Sequence, residues 1–396
     1  MTVLVELARR AVSHPHTATF VKRALHNGAP VRNGESTQLK PEDVPVWGVV
    51  VIYISIFIAS VAISLISYML NEVVTTLCMV ESPMAAITVS PTTYEASDKE
   101  DEKETLLETG PTITLVNQKP ITSSIRATLR HLVANAGRFA RFRGFRIHVL
   151  YSFLAGIVST FFNGALPMVP GQPIIVAGIT GAVLANVHAV WTHKVVGMPT
   201  EQSLWQRMPS KSHWKTLAVP ATIASVMPYI SLYLSFGVAM LMGLHKLEQE
   251  KISSCAAWTG LAVRILTLFV FVIVCTLFLC LPAMVTLIRI EASILPEDQD
   301  TIVPFDRTFG GKVVSKMMGG NGVVGFLDAW RSFNWEARRR LIKLFFKNFF
   351  IIVGMFIVLA HVLAAEVFVI MGPAVGKFMV MLREEDNSML NDLLGA

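Results

Sequence analysis

Six long apolar runs, at residues 47–70, 147–166, 171–191, 216–244, 265–288 and 349–371, constrain this chain more than any other feature. Each is close to the ~20 residues that a helix needs to cross the hydrocarbon core of a bilayer. Helices of soluble domains keep a polar face, whereas nearly all Lys, Arg, Asp and Glu side chains here fall between the runs. The pattern predicts an all-α fold, a polytopic transmembrane helical bundle of six spans.

Five segments follow from that pattern. Residues 1–46 form a polar, amphipathic N-terminal segment without the apolar core and cleavage site of a secretory signal, so 47–70 enters the membrane as a signal anchor. Residues 71–125 read as a disordered acidic loop: the mixed-charge cluster at 98–104 and the scarcity of periodic apolar residues leave too little surface to bury. Residues 126–372 hold a basic juxtamembrane helix and a five-span membrane domain with a cytosolic loop at 291–347. Residues 373–396 are a C-terminal tail.

The net charge of +6 gathers beside the ends of the runs. That suits anionic lipid headgroups, and no nucleic-acid partner is expected. The strongest cluster is 126–146, where Leu129, Leu132, Val133, Phe139 and Phe142 recur at helical spacing. Arg130, Arg138, Arg141, Arg143 and Arg146 supply charge, and no acid lies between Ile125 and Ile147. A helix in the headgroup layer, binding membrane lipids through these five arginines, fits the pattern.

Cytosolic loops carry an excess of Lys and Arg. Leaving aside Arg264 and Arg289 at the ends of the fifth run, where both can snorkel to headgroups, the odd-numbered loops hold 22 basic residues. The remaining segments hold 10, six of them N-terminal. The odd loops are therefore assigned to the cytosol. A seventh crossing at 73–89 would sharpen the asymmetry to 28 against 4, but Glu81 and Pro83 make that segment a poor span.

The runs differ in what they offer. Ser152, Gly156, Thr160 and Gly164 recur every four residues on the second run, as do Ala177, Gly181 and Ala185 on the third. Such spacing lets backbones approach closely in lipid, and Pro167, Pro170 and Gly171 turn the two into a hairpin. Pro220 and Pro228 interrupt the fourth run, a device that broken transporter helices use. His361 and Glu366 lie within the last run, and an ionisable group there is a functional candidate by default. They stand about 140° apart around a helix, so they do not share a face. The same separation divides His188 from His193, unlike the three- or four-residue spacing of a helical metal pair.

Neither a metal site nor a disulfide framework emerges from Cys78, Cys255, Cys275 and Cys280. The glycines at 319, 320, 322 and 325 lack the Gly-Lys-Ser/Thr of a phosphate loop. Pro304-Phe305-Asp306-Arg307 begins like a mitochondrial-carrier signature, but Phe309 stands where a basic residue belongs and no threefold repeat follows.

The runs Ile290-Glu291-Ala292-Ser293, Leu295-Pro296-Glu297-Asp298, Thr301–Arg307, Val187–His193 and 329–343 resemble a family of uncharacterised fungal multi-pass membrane proteins. The resemblance covers about residues 140–372. It implies a membrane protein of fungal origin and no active site. Its members often bear a ubiquitin-carrier label, but the His-Pro-Asn string and reactive cysteine of conjugating enzymes have no counterpart here.

Taken together, these features lead us to expect a non-catalytic membrane organiser or adaptor, without cofactor, in the plasma membrane or an endomembrane rather than a mitochondrion. Its cytosolic loops would bind lipid or a protein partner. The alternative is a transporter of a small solute or ion along a polar path near His361 and Glu366.

Overall fold

In the computed structural model every apolar run lies on a helix, because lipid leaves a spanning backbone no partner but itself. Described are residues 46–82, 85–90, 112–117, 120–202, 206–246, 255–296, 298–314, 318–320 and 322–371. The N-terminal segment and the tail after 371 lie outside them. Among the described residues six helical stretches are long and apolar enough to span: Val46–Val80, Arg138–Ala165, Gln172–Val196, His213–Leu241, Ala257–Ser293 and Trp335–Ile370. The chain is an integral membrane protein with an all-α polytopic bundle.

Helix α1 (Val46–Ser67) continues through a π-helical turn (Tyr68–Val74) into α2 (Thr75–Val80). The first helix therefore ends at Val80, ten residues beyond its apolar run, and eight of the seventeen residues proposed as a seventh crossing, 73–80, are its continuation. The loop expected to be disordered is also partly regular. Strands β1 (Ala85–Ser90) and β2 (Thr112–Asn117) pair antiparallel, with Ala85 opposite Asn117 and Ser90 opposite Thr112. The acidic cluster at 98–104 lies outside the described residues.

Then come α3 (Ile125–Ala136), α4 (Phe145–Ala165), α5 (Gln172–Val196), α6 (Lys211–Leu241) and α7 (Cys255–Cys275). A second π-helical turn (Thr276–Cys280) joins α7 to α8 (Leu281–Ser293), and α9 (Phe326–Arg331) precedes α10 (Trp335–Met371). Helix α6 runs unbroken through Pro220 and Pro228, contrary to the broken helix expected.

The chain divides into two compact units. Of the described residues, the smaller comprises 46–65, 246, 255–261 and 350–371. In it Gly48 is required by close approach, since a Cβ there would lie 2.1 Å from Ile370 Cγ2. Nearby, Ser55, Ile58, Ala62, Gly354, Met355 and Val358 border an apolar groove of about 650 Å³.

The larger unit comprises residues 66–245 and 262–349. Helix α5 is its centre, packing on α4, α6 and α8. The small-residue face of α5 meets α6 rather than α4. A Cβ on Gly181 would stand 2.3 Å from Ser225 Oγ and 2.7 Å from the Ala221 carbonyl. Among the described residues the matching face of α4 packs on nothing: a Cβ placed on Gly156 or Gly164 would meet no atom within 4 Å. The expected small-to-small hairpin is thus replaced by an α5–α6 seam, with α4 touching α5 through Ser159 and Thr180 at 3.2 Å.

The three odd-numbered loops fold into one layer at the basic end of this unit. Ser82 N–H donates to the Pro304 carbonyl (2.9 Å), Ile302 N–H to that of Val196 (2.9 Å), and Met198 N–H to that of Asp300 (2.7 Å). His131 Nε2 donates to the Ile302 carbonyl at 2.7 Å. Beneath lies a core of Val73, Leu77, Leu132, Trp191, Val285 and Phe333.

Candidate functional site

The polar groups expected to matter, His361 and Glu366, are not brought together. His361 is exposed on the helix surface and bonds the Ile357 carbonyl of its own helix. Glu366 accepts from Ser55 Oγ at 2.7 Å, and among the described residues its other oxygen is buried without a partner. The neighbouring groove is lined by apolar side chains and Ser55, which gives no polar path.

The polar site lies in the larger unit instead, around a carboxylate assigned from sequence to a loop. Glu291 is the eleventh residue of α8 and is 0% exposed. Its Oε1 stands 2.7 Å from His188 Nδ1, and its Oε2 accepts from the Thr192 hydroxyl. Its backbone carbonyl accepts from His193 Nε2 at 2.8 Å. Residues 188 and 192 are one turn apart and project on one face of α5, which aims both at the same carboxylate. A buried charge needs such pairing, because leaving water costs several kcal/mol per ion, roughly repaid only in good geometry.

His188 also borders a chamber of about 230 Å³. Its polar lining is Glu72, His148, Tyr151, His188 and Ser225, and Trp191 contributes a wall. The rings are mutually packed: Tyr151 stands edge-on to His188 at 5.3 Å, and Trp191 lies 5.1 Å from His188. Trp191 Nε1 donates to the Tyr68 hydroxyl at 3.1 Å, and that hydroxyl donates to the Arg143 carbonyl. Gly144, with φ of +74°, lets the chain turn beside this wall, where a Cβ would come 3.0 Å from the Trp191 ring.

Both π-helical turns border the chamber, one supplying Glu72 and the other Cys280. A π turn widens the helix and occurs often at functional sites. Along α5, Gly181 and His188 lie about 14 and 24 Å from the Gln172 end. The chamber therefore reaches from near the middle of a ~30 Å core toward its basic side.

The basic residues divide. Arg130, Arg138, Arg141 and Arg146 are exposed, and the Phe139 ring between them is 86% exposed. Helix α3 buries Leu132 and Thr128 and ends at Gly137 (φ +81°), so the amphipathic pattern does not carry Phe139 inward. Arg143 departs from the expectation: it is buried, and its guanidinium donates to the Lys194 and Gly197 carbonyls. That leaves four arginines of the five free to face headgroups.

Two further charges are turned inward. Arg289 is 3% exposed rather than snorkelling, and it lies 5.1–5.9 Å from the rings of Phe305, Phe309 and Phe333. It donates to the Met79 carbonyl and Ser332 Oγ, each at 3.1 Å. Glu81, 2% exposed, accepts from the Ile121 and Thr122 backbone and the Thr122 hydroxyl, with Arg340 at 3.5 Å. Outside the spans, burial lowers the Arg207 pKa from its ordinary value.

Among the described residues no group of three or more His, Cys, Asp or Glu is placed to hold a metal ion. Comparison with protein-family models, curated proteins and solved structures finds no match to this chain. Two of the runs singled out in the sequence, 187–193 and 290–293, meet at Glu291.

Proposed function

We propose that this integral membrane protein is a non-catalytic organiser whose cytosolic layer holds anionic lipid headgroups. The observation that carries the reading is the collar of exposed Arg130, Arg138, Arg141 and Arg146 around the exposed Phe139 ring. It sits immediately before the apolar stretch of α4 and has no acid among residues 126–146. Arginine binds phosphate in bidentate fashion, and an aromatic ring among cations suits the headgroup boundary. The test is native mass spectrometry of the purified full-length protein. Wild type should retain anionic lipid and shed it in high salt; Arg138→Ala/Arg141→Ala/Arg146→Ala should retain less. Equal retention by both removes the reading.

A second reading, transport of a small solute, is favoured by the chamber at Glu72 and His188. It moves the polar path away from His361 and Glu366. Glu72→Gln should then abolish solute flux into reconstituted vesicles, and unaltered flux would remove the reading.

A further inference from the structure

We infer that the chamber of the larger unit is a binding site for a small organic cation, whose ammonium group pairs with Glu72 and lies against the rings of Tyr151 and Trp191. The argument begins with charge. Two carboxylates serve this region, Glu72 and Glu291, and Glu291 is already engaged by His188 and Thr192. Among the described residues, the Glu72 carboxylate has no hydrogen bond or ion pair to the protein, and no Lys or Arg lines the chamber. That leaves Glu72 as the one carboxylate of the lining among the described residues, without a protein group to offset it.

A lone carboxylate among aromatic and apolar walls is costly, and a cation supplied by the ligand offsets that cost. The walls select which cation. Tyr151 and Trp191 present π systems, and a cation over such faces is attracted by the ring quadrupole, most strongly when desolvated. Hard metal ions want several oxygen ligands, whereas this chamber offers one carboxylate among rings and apolar side chains such as Ala221, Met284 and Leu287. Its volume of about 230 Å³ falls below the ~300–1,000 Å³ usual for drug-sized ligands. The occupant is therefore a compact amine or quaternary ammonium compound.

The inference rests on the chamber behind the transport reading, but not on movement across the bilayer. Binding without flux removes transport and keeps the site. The test is calorimetric titration of the full-length protein in lipid nanodiscs. The probes are choline, methylammonium and 3,3-dimethylbutanol, the last being the neutral isostere of choline. Wild type should bind choline or methylammonium saturably and the neutral alcohol at least about tenfold more weakly. Glu72→Gln should lose that preference while its thermal unfolding stays cooperative. Ala224→Leu, which fills the chamber and leaves its charge, should weaken binding of the cation. The inference is overturned by equal affinity for choline and the alcohol, by no saturable binding of either cation, or by unchanged affinity in Glu72→Gln. Should Glu72→Gln fail to fold, unchanged cation affinity in Ala224→Leu overturns it equally.

Discussion

Glu366 in the smaller unit and Glu291 in the larger are both carboxylates on helices that continue membrane spans, and their surroundings are opposite. Glu366 has one neutral hydroxyl partner, Ser55, and one oxygen left over. Glu291 has a partner on each carboxylate oxygen and a third on its backbone carbonyl. The difference teaches that an acid within an apolar run need not belong to an extended polar network. The more heavily engaged acid lies just past the end of its run, where helices α5 and α8 still cover it.

The contrast can be broken most directly at Glu291. Glu291→Ala leaves His188 facing a void and should cost about 3–5 kcal/mol, as breaking a buried pair does. Thermal unfolding in detergent measures it, and a loss no larger than that of Ser55→Ala would erase the contrast. Next in size, Arg289→Lys removes the planar fork between Phe309 and the Met79 carbonyl. It should cost about 2–3 kcal/mol, in line with hydrogen bonds to charged groups; a silent substitution would mean that the guanidinium is not held by these contacts.

Glycines offer a finer comparison inside the larger unit. Gly181→Ala pushes a methyl group into Ser225 and the Ala221 carbonyl and should cost about 1–3 kcal/mol. Gly156→Ala meets open space and should be neutral or favourable by up to about 1 kcal/mol, from helix propensity. Equal losses would return the close seam to the α4–α5 hairpin. In the smaller unit Ser55→Ala should cost only about 0.6 kcal/mol, the mean for hydrogen bonds between membrane helices.

The smallest effect is one of pH. Burial raises the Asp306 pKa, but hydrogen bonds from Thr308 and Gly310, together with the Arg289 charge, outweigh it and hold the pKa below its ordinary 3.8. A depressed carboxylate stabilises the fold above its unfolded pKa, and that contribution fades as pH falls through the lower folded value. Between wild type and Asp306→Asn, the gap in unfolding temperature should be steady above about pH 4 and close below it. A gap that widens on acidification would contradict the assignment.

The helical class and six spans were legible because lipid imposes one rule on every span, and a run of apolar residues meets it visibly. Helix ends were less so. Residues 71–80 and 289–293 stay helical because protein, not lipid, covers them: Leu77 meets the loop layer, and Glu291 meets His188. An apolar run stops where lipid contact stops, so Arg289 and Glu291 read as interface residues. The face that α5 turns to α6 was also hidden, since Gly156 and Gly181 sit in equally small-residue stripes and only tertiary contact separates them. One signal for the site was present. His188, Thr192 and His193 are polar residues in a largely apolar stretch, and an inward acid was their missing complement.

The His188–Glu291 pairing also sets an order of assembly. The partners are 103 residues apart, so at ribosomal rates of roughly 5–20 residues per second the third span waits on the order of 5–20 s for its acid. During that interval the nascent protein holds His188, Thr192 and His193 without their carboxylate. Arrival of α8 closes the network, so the bonds to Glu291 form only once the fifth span has been made.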